Sequence, residues 1–162
     1  MSTDAFGTQS RAPLLSAQRI DELISTHFPH VHGGQKTFFI EDVTTRSAQV
    51  RMRFEARHVR PGGTISGPAM FTLGDIAIWV AVMGAMGEPG VDAVTTHFNL
   101  HFLARPAPRD LVAKVQLLRV SKRSAVAECQ LFSDGSDEMV AQGVAGYAIP
   151  SSDSGKVIPQ TR

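Results

Sequence analysis

Hydrophobic and polar positions follow two periods along this chain, one helical and one alternating, and the places where they change divide it into elements. Residues 1–13 are small and polar, broken by Gly7 and Pro13, and residues 151–162 are rich in Ser, Gly and Pro. Neither stretch carries a hydrophobic period. They are therefore expected to form a flexible arm and a flexible tail around one domain over residues 14–150. Ser16 precedes Ile20, Leu23, Ile24 and Phe28. A capping residue ahead of apolar positions at helical spacing predicts a short amphipathic helix, ended by His30 to Gly34. From Lys36 the period shortens to two, first in 37–43 and then clearly in 48–54. There Ala48, Val50, Met52 and Phe54 alternate with Gln49, Arg51, Arg53 and Glu55, as on a strand buried on one side.

Pro61-Gly62-Gly63 breaks that strand, and Ser66-Gly67-Pro68 offers a helix start, with proline where its missing N–H costs nothing. Pro68 to about Met86 is apolar nearly all round, which in a soluble domain predicts a helix buried on most faces. Gly87-Glu88-Pro89-Gly90 stops it. Alternating segments follow at 93–103, 111–120 and 125–132, and Asp134-Gly135-Ser136 turns the chain into a last one at 139–149. A long buried helix wrapped by an antiparallel sheet of about five to six strands, an α+β fold, fits this order. No internal repeat suggests a second domain.

Asp75 interrupts the apolar stretch from Ile65 to Met86 and leaves an uninterrupted run of only Ile76 to Met86. That run is shorter than the roughly 18–20 residues of a spanning helix and lacks a basic flank, so no membrane span is expected. The first 15 residues lack a secretory pattern, which makes the cytoplasm the expected location. A net charge of +1 gives no electrostatic case for nucleic acid. The lone Cys129 sits in an alternating apolar segment and reads as a buried small hydrophobe.

The stretch from Ser66 to Ala77 (Ser-Gly-Pro-Ala-Met-Phe-Thr-Leu-Gly-Asp-Ile-Ala) resembles the hotdog thioesterase signature His-Gly-Gly, four residues, Leu-Ala-Asp-x-Ala. Val94 to Leu103 followed by Arg105-Pro106-Ala107 resembles the family's third strand and its exit, and Asp110-Leu111 the start of the fourth. Ser121-Lys122-Arg123 and Asp134-Gly135 sit where the family has a basic hairpin and a tight turn. The resemblance covers about residues 35–149 and is nearest to the phenylacetate-degradation (PaaI-like) group. Ser66 stands where the family often has His, and Pro68 where it has the second Gly. The other His-Gly-Gly, at 32–34, is followed by strand-like residues and reads as a connecting turn.

The resemblance implies a hotdog fold and hydrolysis of an aryl- or acyl-CoA to the free acid and coenzyme A. It implies no metal or separate cofactor, and a site built between two subunits of a homodimer or of a tetramer of paired dimers. Asp75 would act as general base or as nucleophile through a mixed anhydride, because a partly desolvated carboxylate is a stronger base. The structural alternative is a carboxylate that faces solvent or is ion-paired at a subunit contact. Gly67 would donate its backbone N–H to the developing oxyanion, since amides at a helix start lack intrahelical partners. Close packing alone would also explain a glycine there. Ser66 occupies the histidine position.

Thr95, His97, Asn99 and His101 alternate with Thr96, Phe98, Leu100 and Phe102, which predicts one polar and one apolar strand face. Thr95 and Asn99 either reach the active site or satisfy each other across a two-fold axis. His97 and His101 lack a third ligand, so a metal site is not expected. Trp79, one turn beyond Asp75, is a candidate limit on acyl size. Arg105 and Arg123 are candidate contacts for coenzyme A phosphates, against the simpler reading of surface charge. Two other classes stay open. A non-catalytic acyl-CoA binder or sensor on the same fold is one, and a hotdog hydratase the other, although it needs a second histidine beside the acid that is not evident here.

Overall fold

The computed structural model describes residues 11–151. Helix α1 spans Ala17–His27, with the Ser16 hydroxyl accepting the Arg19 N–H and Ile20, Leu23 and Ile24 buried beneath it. Strands β1 (Phe38–Val43) and β2 (Ser47–Met52) follow. Next come the long helix α2 (Gly67–Met86) and four strands: β3 (Val94–Phe102), β4 (Leu111–Val120), β5 (Ser124–Ser133) and β6 (Met139–Ala148). The strands form one antiparallel sheet in the order β1-β2-β4-β5-β6-β3. β3 therefore crosses to an outer edge beside β6.

The sheet wraps α2, which touches every strand, the arrangement the resemblance implies. Inward residues of β2, Ala48, Val50 and Met52, meet Leu73, Ala77, Ile78, Val80 and Ala81 of α2 in a single core. α2 is long and apolar enough to cross a membrane, but most of it is buried inside this sheet. Burial on nearly every face explains its lack of a polar stripe. Ser66 caps it by accepting the Ala69 N–H at 3.3 Å, and Gly87 ends it at φ +73°, a conformation that favours glycine.

Of the expected arm, residues 1–10 lie outside the described part. Beyond them, the Arg11 carbonyl accepts from Thr45 and the Leu14 N–H donates to Gly84 at 2.8 Å, so this segment lies against α2 and the β1–β2 turn. Residues 152–162 of the expected tail also lie outside the described part.

The even alternation expected for β3 does not hold along its length. The register steps from Thr95↔Tyr147 to His97↔Gly146, leaving Thr96 as an extra residue, a β-bulge that reverses the parity of the later strand residues. Gly146 permits it, since a Cβ there would lie 2.3 Å from the His97 ring and 2.9 Å from Thr96 Oγ1. As a result Thr95 turns toward α2, as Phe98 does. Asn99 lies on the opposite face, exposed to solvent. The two do not share a polar face as the even alternation suggested.

Candidate active site

Asp75 sits half-buried near the middle of α2. Two hydroxyl groups hold its carboxylate. Thr95 Oγ1 donates to Oδ1 at 2.8 Å, and the Tyr147 hydroxyl lies against the same Oδ1 and against the Asp75 main-chain oxygen at 2.8 Å. Tyr147 is 4% exposed. Burial, then the neighbouring Asp75 charge and the hydrogen bond to it, push the phenol above its ordinary pKa and keep it protonated as a donor. Oδ2 has no partner among the described residues, so one carboxylate oxygen is fixed and the other is free to meet a water or a carbonyl carbon.

The carboxylate opens into a cavity of about 370 Å³ lined by Phe28, Ile76, Trp79, Ala93, Val94, Thr95 and Tyr147. Its walls are mostly apolar and aromatic. Trp79 Nε1 donates to the Gly90 carbonyl at 3.0 Å, which pins the indole as a fixed wall. An acid held between two donors at the mouth of an apolar cavity is suited to proton abstraction or acyl attack on a substrate with an apolar end.

Gly67 opens elsewhere. It lines a second cavity, of about 360 Å³, with Arg60, Ile65, Met70, Phe102 and Arg105 among its walls. Its N–H, at the first helical position, makes no hydrogen bond among the described residues. A Cβ at Gly67 would meet the Phe102 ring at 3.3 Å, so the glycine also serves the close packing that is its simpler reading. Eight residues of helix separate Gly67 from Asp75, about 12 Å of rise. Within one chain the amide and the acid do not meet.

The remaining candidates scatter. The Ser66 hydroxyl accepts the Ala69 N–H as the helix cap, and its own O–H has no acceptor among the described residues. Arg105 is exposed at the rim of the Gly67 cavity. Arg123 is exposed in the β4–β5 turn, its carbonyl accepting from Ile149 N–H, near the Tyr147 end of β6. Neither guanidinium has a partner among the described residues. Cys129 is buried, and burial pushes its thiol up to about 12, far from a reactive thiolate. Tyr147 and Arg60 were not among the sequence candidates. Tyr147 reads in sequence as one more alternating core residue, and Arg60 as the edge of a Pro-Gly-Gly break.

The family model of the thioesterase superfamily matches residues 62–140. A protein from Silicibacter sp., provisionally named a thioesterase, is 31% identical, with a TM-score of 0.76, over 88% of this chain and 97% of its own. The chain belongs to the thioesterase superfamily. It is accordingly a thioester hydrolase with the hotdog fold. Two more distant structures share that fold. Zebrafish thioesterase superfamily member 2 is 18% identical, with a TM-score of 0.72 over 84% of this chain and 99% of its own. A variant of the phenylacetic acid degradation protein PaaI from Thermus thermophilus is 18% identical, with a TM-score of 0.61 over 70% of this chain and 94% of its own. No curated protein matches the chain. In this thioesterase the family signature falls on the first three turns of α2, where Gly67 and Asp75 mark the two cavities.

Proposed function

We propose that this thioesterase hydrolyses an acyl-CoA to the free acid and coenzyme A, at a site that unites Asp75 of one copy with Gly67 of a second. The observation that carries the reading is the Asp75 carboxylate, held at Oδ1 by Thr95 and Tyr147 and free at Oδ2 beside an apolar cavity. Asp75 acts as general base on water or as nucleophile. The acyl group occupies the cavity in front of Trp79, and the Gly67 N–H receives the developing oxyanion. No metal or separate cofactor is required, and the reaction fits a cytoplasmic enzyme.

Support for a paired site comes from β3. It is an edge strand whose Thr95 end lies by Asp75 and whose Phe102 end lies by Gly67. Val94 and Phe102 on it, and Leu103 just past its end, are each more than half exposed, the kind of open edge that pairs with another chain. Antiparallel pairing of two β3 edges about a two-fold axis sets the Thr95 end of one against the Phe102 end of the other. Acid and amide then face each other, which the rise of one helix forbids within a chain. A tetramer of such dimers is a natural further assembly. Arg105 at the Gly67 rim, and Arg123 at the Tyr147 end, supply cations for coenzyme A phosphates.

Release of free thiol from a panel of aryl and aliphatic acyl-CoAs tests this, with the native chain set against Asp75→Ala and Asp75→Asn. Turnover lost in both variants is the expected result. Equal turnover in the variants would remove Asp75 from the mechanism, and tight binding without turnover by the native chain would identify a binder or sensor instead.

A further inference from the structure

We propose that Arg60 is a second catalytic group of this thioesterase, its guanidinium stabilising the thioester oxyanion together with the Gly67 N–H. The inference rests on the acyl-CoA reading above and concerns a residue that reading does not use. Two donors usually serve an oxyanion. Here the next two backbone donors are absent: Pro68, next on the helix, has no N–H, and the Ala69 N–H is spent on the Ser66 hydroxyl that caps the helix.

Arg60 lines the same cavity as Gly67. Its backbone is fixed by a tight hairpin. Arg60 N–H donates to Thr64 at 2.9 Å, Gly63 N–H donates back to Arg60 at 3.1 Å, and Val59 bridges Ile65 just outside the turn. Ser66 N–H then donates to His58 at 2.8 Å, which ties this hairpin to the start of α2. Arg60 and Gly67 are thus carried on one rigid unit. The guanidinium makes no hydrogen bond or ion pair among the described residues, whereas Arg51 and Arg57 are each bound to carboxylates. Arg105 is the other unpaired cation of this cavity, but it lies on the exit from β3 and is not tied to the helix start.

In the general-base route, a water oxygen bonds to the carbonyl carbon as one of its protons passes to Asp75 and the C=O π pair moves onto oxygen. The pair then returns and the C–S bond breaks. The departing thiolate takes the proton from Asp75, giving acid and free thiol. Arg60 stays protonated throughout. It gives hydrogen bonds and a positive charge only to the oxygen that becomes anionic, so its effect falls on kcat and not on ground-state binding.

The experiment compares the native chain, Arg60→Ala, Arg60→Lys and Asp75→Asn on one acyl group turned over in the panel, presented both as the CoA thioester and as the acyl-pantetheine thioester, which lacks the nucleotide phosphates. Arg60→Ala is expected to lower kcat about 100-fold on both substrates while KM stays within about threefold, and Arg60→Lys to fall between. A kcat within about twofold of native would overturn the proposal. So would a loss confined to KM and to the CoA substrate, which would make Arg60 a phosphate contact. Either failure leaves the native chain active and Asp75→Asn inactive. An inactive native chain would instead sink the acyl-CoA reading, and this proposal with it.

Discussion

Tyr147 on β6 reaches Asp75 on α2 across the width of the core, lying against both the main-chain oxygen and Oδ1 of a residue 72 positions earlier in the chain. The contact does two things at once. It satisfies a buried phenol, and it fixes which carboxylate oxygen can react. Tyr147→Phe keeps the ring and its packing but frees the carboxylate to rotate. Loss of a hydrogen bond to a charged group corresponds to about 1.5–3 kcal/mol, or roughly 10- to 100-fold in kcat if expressed in the transition state. Steady-state kinetics should show that fall with KM little changed. An unchanged kcat would mean that Tyr147 serves packing alone.

Thr95, the other donor to Oδ1, was within reach of sequence reading and Tyr147 was not. Thr95 sits on a strand whose polar residues needed an explanation. Tyr147 is one apolar-compatible residue among many, and nothing local shows that its hydroxyl meets an acid on another element. The elements themselves were legible because caps, breaks and periods are local: Ser16, Ser66 and Gly87 act where the pattern places them. Pairing Gly67 with Asp75 was legible only as chemistry, since about 12 Å of helix rise keeps them apart in one chain. The bulge at Thr96 was hidden because it depends on a glycine across the sheet, Gly146, which has no side chain to obstruct it.

Trp79 closes the cavity in front of Asp75, its indole pinned to the Gly90 carbonyl. Trp79→Ala should extend the cavity and raise kcat/KM for longer acyl-CoAs relative to short ones, measured across a chain-length series. A cost to stability accompanies it. Trp79 is half-buried, so the loss should sit near or below the roughly 3–5 kcal/mol of a fully buried tryptophan, read from chemical denaturation. An unchanged chain-length profile would place the acyl group elsewhere.

Arg105 stands at the rim of the Gly67 cavity, exposed and without an ionic partner among the described residues. As a phosphate contact it acts on binding. Arg105→Ala should therefore raise KM for acyl-CoA several-fold, about 1 kcal/mol at a solvated ion pair, and leave kcat alone. The same variant should show no change on acyl-pantetheine, and the effect should shrink as salt is raised. A loss that persists without the phosphates would assign Arg105 to the acyl or pantetheine end.

His32 and His58 make the fold sensitive to mild acid. His32 Nδ1 accepts the N–H groups of Thr37 and Phe38 at 3.2 and 3.3 Å, and its Nε2 is buried without a partner among the described residues. His58 Nδ1 accepts the Glu55 N–H at 3.1 Å. Each Nδ1 must stay unprotonated to keep these bonds. Burial lowers both pKa values; around His32 the Asp21 charge opposes it and Lys36 adds to it, while around His58 Arg57 adds and Glu55 opposes. The unfolded chain thus takes up protons near 6.5, where the folded one does not. Stability from these groups is complete above that value and is lost as pH falls below it toward the lowered folded values. Glu55, held down to about 2 by hydrogen bonds from Arg57 and Thr37, works in a lower window. Its contribution is present above 4.5 and fades as pH falls toward 2. Thermal melts stepped downward from about pH 7.5 should show Tm falling already between about pH 6.5 and 5, before carboxylates titrate. His32→Asn should melt lower at neutral pH yet show a flatter dependence across that interval. A native profile that is flat down to about pH 5 would mean that the two histidines stay hydrated enough to protonate in place.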